Sequence, residues 1–303
     1  MSVLASTTKK VLGRVGVGQL TATGSHAANL AAAATLCAEA AAAGCCLLCL
    51  PEAFSFIGAS AAETRAQAEP LDGPRLGAYR ALAAEHGLWL SLGGFHEAGA
   101  PGGRVFNTHV VVDARGATVE AYRKIHLFDV DVPGGAVLLE SRSTAPGPAA
   151  AVVVDATAAL GFRFGLTTCY DLRFPELYVA LARKGVDAVL VPSAFTRPTG
   201  AAHWHLLLRA RAVETQCYVL AAAQCGVHNG KRASYGHALA VGPWGDVLGD
   251  AGPDAAPALV VADVDAAAVA AIRAKMPIAA QRRPDVLGLL APGGAAPPPE
   301  PTE

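Results

Sequence analysis

The chain has 303 residues, of which 52% are hydrophobic and 16% charged, and its formal net charge is −1. A chain of this length buries a sizeable core, and the lack of a basic block or stripe argues against a nucleic-acid partner. No run of eighteen apolar residues is free of charges and helix breakers, so the sequence predicts no membrane span.

The cysteines indicate a reducing compartment. There are seven, an odd number, and four of them fall within residues 37–49. Cysteine frameworks of disulfides belong to small secreted domains, and this chain is too long for that class. We therefore expect a cytoplasmic protein with free thiols, although an organelle is not excluded by the sequence. Cys45, Cys46 and Cys49 lack further ligands with zinc-site spacing, so no metal is expected there.

Apolar runs of strand length alternate with helix-forming segments along the chain. In chain order, we expect strands at 11–20, 45–51 and 88–95, a hairpin over 108–124, strands at 150–156, 162–169, 187–195 and 217–225, a hairpin over 233–252, and a strand at 258–265. Helices are expected at 27–43, 74–86, 175–185, 203–216 and 266–276. This alternation predicts an α/β fold with a mixed sheet and helices outside it.

The domain limits follow from composition. Residues 1–10 are expected to be a flexible N-terminus, and residues 11–290 to form one domain that contains a Gly/Pro-rich loop at 133–148. The Pro-rich residues 291–303 are expected to be a disordered tail, because such a composition does not bury enough apolar surface to fold.

Cys169 ends the buried strand GLTTC, and a helix is expected from Pro175, because proline is favoured in the first helical turn. A strand–turn–helix unit of this kind exposes a nucleophile and leaves backbone N–H groups, here that of Tyr170, free to bind an oxyanion. A core cysteine at a strand end is the alternative interpretation.

Glu52 directly follows the buried strand CLLCLP, and Lys124 ends another strand. Isolated Glu and Lys residues are usually solvated surface groups, but a charge beside a buried strand is unfavourable unless it has a partner or a function. The carboxyl ends of strands are where α/β sheets bind ligands. Glu52, Lys124 and Cys169 are therefore candidates for a common site.

These residues carry a family resemblance. Glu52 in LPEAF, Lys124 in YRKIHLFDVD and Cys169 in TTCYDLRFPELY resemble the Glu–Lys–Cys triad of the nitrilase (carbon–nitrogen hydrolase) superfamily over about residues 11–290. The segments 203–226 and 231–245 resemble the branch that hydrolyses deaminated glutathione, with the omega-amidase branch as a close relative. The resemblance implies a four-layer αββα sandwich with two mixed sheets, a homodimer or higher homo-oligomer, and neither metal nor organic cofactor.

The resemblance also implies roles for individual residues. Cys169 is expected to attack a small amide, Glu52 to act as base, Lys124 and the Tyr170 N–H to stabilise the oxyanion, and Glu140 to support the triad. Arg173 could bind a substrate carboxylate bidentately, or form a structural ion pair with Asp171 or Glu176. Phe54 and Phe195 could line the substrate pocket, although aromatic residues at strand ends are often core residues.

Four alternative functions remain at this stage. Within the family these are an omega-amidase that acts on alpha-ketoglutaramate, a carbamoyl hydrolase and a true nitrilase. Outside it, the same fold could serve as a non-catalytic scaffold. An enzyme is expected to have an accessible Cys169 with a low pKa that alkylates before the other six cysteines, whereas a scaffold is not.

Overall fold

The computed structural model describes residues 13–131, 137–253 and 256–283. The expected flexible N-terminus at 1–10 and the expected disordered tail at 291–303 lie outside these described residues. The limits of the predicted domain at 11 and 290 also lie outside them.

The described residues form sixteen strands, eight α-helices and three short 3₁₀ helices. The strands are β1 (Gly13–Leu20), β2 (Leu47–Leu50), β3 (Trp89–Glu97), β4 (Phe106–Val112), β5 (Thr118–Arg123), β6 (Asp129–Asp131), β7 (Val137–Leu139), β8 (Val153–Asp155), β9 (Arg163–Leu166), β10 (Ala188–Leu190), β11 (Tyr218–Ala221), β12 (Ala223–Asn229), β13 (Arg232–Tyr235), β14 (Leu239–Val241), β15 (Val247–Asp250) and β16 (Ala258–Val264). The α-helices are α1 (His26–Ala42), α2 (Ala61–Ala66), α3 (Pro74–His86), α4 (Thr157–Leu160), α5 (Pro175–Arg183), α6 (Arg197–Thr215), α7 (Ala266–Lys275) and α8 (Ile278–Gln281). The 3₁₀ helices are Pro101–Gly103, Glu140–Arg142 and Cys169–Arg173.

Two mixed sheets organise the chain. The larger has eight strands in the order β13-β12-β1-β2-β3-β4-β5, with β16 antiparallel to β1. The smaller has six strands in the order β15-β14-β11-β10-β9-β8. Strands β1, β2 and β3 are parallel, as are β9, β10 and β11. Because β4 is antiparallel to both β3 and β5, β5 runs parallel to β3 again.

The period-two alternation of each strand divides its side chains between two layers. Val15 and Val17 of β1 and Cys49 of β2 share one core with Phe164 and Leu166 of β9 in the other sheet. The alternate side chains of β2 and β3 instead share a second core with α1 and α3. Residues of α5 and α6 pack on the smaller sheet. The predicted four-layer αββα sandwich is therefore confirmed.

Helix α1 shows how local sequence produces this packing. Alanine favours the helix, and the Ser25 hydroxyl at its start accepts a hydrogen bond from the Ala28 N–H at 3.3 Å. Its neighbour β1 carries Gly18 where a Cβ would lie 3.1 Å from the Leu36 Cδ1. The glycine allows the helix to approach the strand closely, as expected for a glycine inside a strand.

Several elements differ from the sequence prediction. The strand expected at 162–169 ends at Leu166, and the loop expected at 133–148 contains β7 and a 3₁₀ helix. The apolar run 217–225 was predicted as one strand, but β11 lies in the smaller sheet and β12 in the larger one. Helix α6 starts at Arg197 rather than 203, because Thr196 caps it and Pro198 occupies its first turn. In the region 233–252 only β14 and β15 form a hairpin, since β13 pairs with β12. The strand predicted at 187–195 is shorter, because β10 ends at Leu190.

None of the helices in the described part of the chain combines the length and the apolar character that crossing a membrane requires.

Candidate active site

The carboxyl ends of strands from both sheets meet at one edge of the sandwich. Glu52 lies two residues after β2, Lys124 directly follows β5, and Cys169 lies three residues after β9. Parallel strands present their carboxyl ends on the same side of a sheet, which is the usual location of ligand sites. The structure therefore brings together three side chains that are more than forty residues apart in sequence.

Lys124 lies between two carboxylates. Its Nζ is 3.2 Å from Glu52 Oε1 and 2.9 Å from Glu140 Oε2, and its side chain is only 2% exposed. Burial disfavours the ammonium, but the charges of Glu140 and Glu52 outweigh it and hold the pKa of Lys124 well above its usual value. The residue is therefore a permanent cation at neutral pH.

Glu52 is buried and is held by several hydrogen-bond donors. Besides Lys124, the Asn107 Nδ2 donates to its Oε1 at 2.8 Å and the Ala194 N–H donates to its Oε2 at 3.0 Å. Burial opposes ionisation, yet the charge of Lys124 and hydrogen bonds from Cys169 and Asn107 lower the pKa of Glu52 below its usual value. At neutral pH this group is a carboxylate, the form that a general base requires.

Cys169 opens a 3₁₀ helix with a left-handed backbone, φ 50°. Its N–H donates to the Pro192 carbonyl at 2.9 Å, and a non-glycine residue in this conformation is strained, as active-site residues often are. Burial and the negative charge of Glu52 raise the pKa of the Cys169 thiol well above its usual value, although Lys124 partly opposes them. The expectation of a low-pKa thiol is therefore wrong: the resting group is a thiol that must give its proton to a base.

The turn that carries Cys169 is fixed by Asp171. Asp171 is fully buried, and its Oδ2 accepts from the Thr168 N–H at 2.9 Å and from the Tyr122 hydroxyl at 2.7 Å. Its Oδ1 accepts from His126 through both the backbone N–H and Nδ1. His126 thus supports the turn. The Tyr170 N–H lies in the first turn of the 3₁₀ helix, where backbone donors have no intrahelical acceptor.

A small cavity opens in front of the thiol. Its walls are Phe128, Cys169, Tyr170, Arg173, Ala194, Phe195, Thr196 and Thr199. Arg173, Phe195 and Tyr170, which were predicted from the sequence to lie at the site, thus line the cavity.

Phe54 is not in this cavity, which corrects the prediction. Its side chain is fully buried, with its ring 4.7 Å from that of Tyr79 and 6.2 Å from that of Phe95. It faces the core under α1 and α3 because the turn after β2 sends Glu52 and Phe54 in different directions. Phe54 is a packing residue.

Arg173 forms no ion pair with Asp171, Glu176 or any other carboxylate of the described residues. Its Nη2 lies 3.2 Å from His203 Nδ1, and its guanidinium carbon lies 5.8 Å and 5.9 Å from the ring centres of Tyr170 and Phe195. The structural ion pair considered as the alternative is therefore not formed. Arg173 is thus a cation that lines the cavity and has no carboxylate partner in the described part of the chain.

Several residues of the site were missed by sequence reasoning. Asn107 donates to Glu52 and, at 3.3 Å, to Glu140, and its own Oδ1 is buried without a partner among the described residues. Glu140 Oε2 in turn accepts the Phe128 N–H at 2.7 Å. A polar residue at the start of an apolar strand, as in FNTHVVV, was the available signal for Asn107.

The arrangement has the parts required for covalent hydrolysis of an acyl compound. The Cys169 thiol lies beside the Glu52 carboxylate, which also contacts the Lys124 ammonium, and a thiol, a carboxylate and a cation are the groups that such chemistry uses as nucleophile, base and oxyanion donor. Among the described residues, His205, His237 and Asp250 are spaced as metal ligands could be, and none of the site residues belongs to that group.

Comparisons with known proteins agree with this geometry. A family model described as carbon–nitrogen hydrolase matches residues 14–274. Human deaminated glutathione amidase is 49% identical over 279 residues, which cover 91% of this chain and 84% of that protein.

Two solved structures have the same fold. The crystal structure of the C. elegans NitFhit protein superposes with a TM-score of 0.83 at 39% identity, over 91% of this chain and 66% of that chain. A mutant of the amidase from Nesterenkonia sp. AN1, with a TM-score of 0.71 and 28% identity over 87% and 98% of the two chains, shows Michael addition of acrylamide at its active-site cysteine.

Proposed function

This chain belongs to the carbon–nitrogen hydrolase family and hydrolyses non-peptide carbon–nitrogen bonds of small amides, and on that premise we propose that Cys169, Glu52 and Lys124 carry the reaction. The observation that supports these roles best is the contact of one buried carboxylate with both the thiol and the ammonium. Cys169 lines the cavity, and it is linked to Glu52 and, through Glu52, to Lys124.

The first step is attack of sulfur on the amide carbon. Because the pKa of the Cys169 thiol is raised by burial and by Glu52, the proton leaves the thiol for Glu52 as the carbon–sulfur bond forms. The electron pair of the carbonyl moves to its oxygen. Glu52 is then a neutral acid, and its contact with Lys124 weakens, which frees the ammonium to face the new negative charge.

The oxyanion is stabilised by Lys124 and by the Tyr170 N–H. Lys124 is buried, so its charge acts in a medium of low dielectric. One such donor lowers the activation barrier by about 3–4 kcal/mol. Glu140 and Asn107 hold the ammonium and the carboxylate in place from the opposite side.

Collapse of this intermediate breaks the carbon–nitrogen bond. Glu52 gives its proton to the departing nitrogen, which leaves as ammonia or an amine, and a Cys169 thioester remains. Water then transfers a proton to Glu52 and attacks the thioester carbon. The carboxylic product leaves, and the proton on Glu52 returns to the sulfur.

For the substrate, we propose a small omega-carboxamide that also carries a carboxylate, as deaminated glutathione does. Arg173 supports this choice, because it lines the cavity and lacks a carboxylate partner among the described residues. Arginine pairs with carboxylates through two parallel hydrogen bonds. The relatives named deaminated glutathione amidase, at 43–49% identity, point to the same substrate.

A kinetic comparison tests the substrate. Wild-type enzyme should release product from deaminated glutathione with a higher kcat/KM than from alpha-ketoglutaramate. Arg173→Gln should reduce kcat/KM for either carboxylate substrate about tenfold or more, mainly through KM, because a charged hydrogen bond is lost. The same variant should have the wild-type kcat/KM for an uncharged amide such as butyramide.

Arg115→Gln is the matched control, since that side chain is 89% exposed in a turn. Equal or better kcat/KM on alpha-ketoglutaramate would assign the chain to omega-amidases instead. Unchanged KM in Arg173→Gln would remove Arg173 from the substrate site without affecting the roles of Glu52, Lys124 and Cys169.

We also propose a homodimer or higher homo-oligomer. Helix α6 and the β14–β15 hairpin, tied by the Arg209 Nε hydrogen bond to the Gly245 carbonyl at 2.7 Å, expose three large apolar side chains on neighbouring surface: Leu206 (67%), Val213 (46%) and Trp244 (65%). Apolar surface of this kind is typical of an interface. Sedimentation equilibrium of wild type and Trp244→Glu tests it: a monomeric wild type would refute the proposal.

A cytoplasmic location is the last part of the proposal. All seven cysteines carry free thiols, as expected for a reducing compartment. Imaging of the tagged full-length chain in cells tests it, and exclusive recovery in an organelle would contradict it.

A further inference from the structure

Two histidines and an aspartate converge away from the catalytic residues. His205 Nε2 lies 2.9 Å from Asp250 Oδ2, and His237 Nδ1 lies 2.9 Å from Asp250 Oδ1. One ligand atom of each residue lies within 4.8 Å of the others. The three come from α6, from the segment between β13 and β14, and from the end of β15, so the tertiary fold brings them together.

The backbone around His237 is constrained. His237 has a left-handed φ of 60°, and it is one of four non-glycine residues in the described chain with positive φ, together with Ala53, Cys169 and Gln216. Of these, Ala53 directly follows Glu52, and Cys169 is the proposed nucleophile. Strain of this kind persists where surrounding contacts over-determine a residue, and it is concentrated at functional sites.

Those surrounding contacts hold the His237 ring before any ligand arrives. The His237 N–H donates to the Gly252 carbonyl at 2.8 Å, and its carbonyl accepts from Trp204 Nε1 at 2.8 Å. The Tyr235 ring stacks on the imidazole with centroids 4.6 Å apart. The aspartate is oriented as well, because its Oδ1 accepts the Gly252 N–H at 2.8 Å.

We propose that His205, His237 and Asp250 bind one divalent transition-metal ion, with zinc as the best match. Two imidazole nitrogens and one carboxylate oxygen are the donor set of open zinc sites, which keep a fourth position for water or another ligand. Calcium and magnesium prefer oxygen ligands and are disfavoured by the two imidazoles.

The spacing is close to that of a zinc site on two of its three sides. With zinc–ligand distances of about 2.0–2.1 Å, the ligand atoms of a tetrahedral ion lie about 3.3 Å apart. The separations of 2.9 Å between each histidine nitrogen and Asp250 need to widen by only a few tenths of an ångström. The two histidine nitrogens lie within 4.8 Å of each other, and side-chain rotation has to set their final separation when the ion binds. Each neutral imidazole offers its lone pair by carrying its proton on the other ring nitrogen.

The site is accessible and would act as a structural clip. The side chains of His205, His237 and Asp250 are 35%, 19% and 30% exposed, so an ion can enter from solvent. A bound ion would join α6 to the β14–β15 region. Trp204, next to His205, packs against the cavity residue Phe195 with ring centres 4.8 Å apart, so the clip lies one contact from the substrate cavity.

Metal titration of the full-length protein tests the proposal. After treatment with a chelator, wild type and Cys169→Ala should each bind one Zn²⁺ per chain in competition with a chromophoric chelator. Zinc should also raise the melting temperature, because it binds only the folded state. Cobalt(II) should give the visible bands of a four- or five-coordinate nitrogen and oxygen site, without the thiolate charge-transfer band in the near ultraviolet.

Ligand variants give the specific readout. His205→Gln and His237→Gln should each weaken zinc binding by about 100-fold or more, since even loss of an outer-shell partner of a metal site costs 10–100-fold. His86→Gln, a histidine at the end of α3 outside the cluster, should bind as wild type does. Asp250→Asn provides a second test if a histidine variant has an altered metal-free melting curve.

Three results would overturn the proposal. These are unchanged zinc affinity in the ligand variants, a cobalt spectrum dominated by thiolate, or no binding to wild type at 100-fold molar excess of zinc. The last result would make the three residues a hydrogen-bonded cluster without a ligand.

Discussion

Lys124 Nζ lies 2.9 Å from Glu140 Oε2, so the ammonium that faces Glu52 is held from its other side by a second carboxylate. One cation and two carboxylates in a buried site carry a net negative charge. The two carboxylates keep Lys124 protonated in spite of its burial, while burial and the charge of Glu52 raise the pKa of the Cys169 thiol. The site is therefore arranged for proton transfer during attack rather than for a preformed thiolate.

Glu140→Gln tests this positioning role. Removal of one negative charge should lower the pKa of Glu52 further, because Lys124 then acts on Glu52 alone. The acidic limb of the pH profile of kcat/KM should move to lower pH, and kcat should fall by about tenfold to 100-fold, because the weaker base and the less firmly held ammonium both raise the barrier. Glu176→Gln, at the exposed start of α5, is the control. An unmoved acidic limb would show that Glu140 is only a structural residue.

Lys124→Met should be inactive and destabilised. It leaves Glu52 and Glu140 without their cation, and breaking a buried ion pair costs about 3–5 kcal/mol. Urea denaturation at pH 7 measures this loss, with exposed Lys184→Met as the control.

The sign of the pH dependence follows from the two pKa shifts. The lowered pKa of Glu52 contributes stability above the carboxyl range, which is lost as pH falls; the raised pKa of Lys124 contributes stability that is lost only at strongly alkaline pH. In Lys124→Met the unpaired carboxylates instead favour protonation. The loss of unfolding free energy in this variant, relative to wild type, should therefore be largest near pH 7 and shrink toward about pH 4–5. A deficit independent of pH would argue against the charge interpretation.

Gly94→Ala tests the support of Glu52. Gly94 has φ 69°, and a Cβ there would lie 2.7 Å from Glu52 Cγ and 2.8 Å from Asn107 Oδ1. Displacement of the base should lower kcat about 100-fold. Gly99→Ala is matched for backbone strain, since its φ is 98° and a Cβ would meet open space. It should lose about 1–2 kcal/mol of stability and keep its kcat; equal kcat in both variants would contradict the prediction.

Phe54→Leu distinguishes a core residue from a pocket residue. Because Phe54 packs on Tyr79 and Phe95, the variant should lose about 1–2 kcal/mol of unfolding free energy with an unchanged KM. Phe195→Leu, at the cavity wall, should raise KM. Urea denaturation and steady-state kinetics measure both; a raised KM in Phe54→Leu would return that residue to the substrate site.

Strand alternation and alanine-rich helices are local signals, and they predicted the α/β fold and most of the order of its elements. The four-layer sandwich was predicted only through the family resemblance that the motifs around Glu52, Lys124 and Cys169 carry. The split between β11 and β12 could not, since an apolar run reads the same whether it stays in one sheet or crosses to another. Thr196 and Pro198 are a local signal for the early start of α6.

Some features of the site could not be predicted, for a related reason. Sequence position places Phe54 two residues from Glu52, but only the turn shows that their side chains diverge. The raised pKa of Cys169 depends on burial and on Glu52, which tertiary packing sets. Likewise, Asn107 and Ala194 reach Glu52 from distant segments, and no local pattern reports such contacts.

The central claim is a covalent intermediate on Cys169. Wild type mixed with a slow amide substrate and quenched in acid should gain the mass of the acyl group, and peptide mapping should place it on Cys169. Cys169→Ala should form no adduct and release no ammonia while it keeps the wild-type circular dichroism spectrum. Cys46→Ala is the control, because its thiol donates a hydrogen bond to the Arg14 carbonyl, and this variant should behave as wild type. Ammonia release by folded Cys169→Ala, or an acyl group on another residue, would contradict the mechanism.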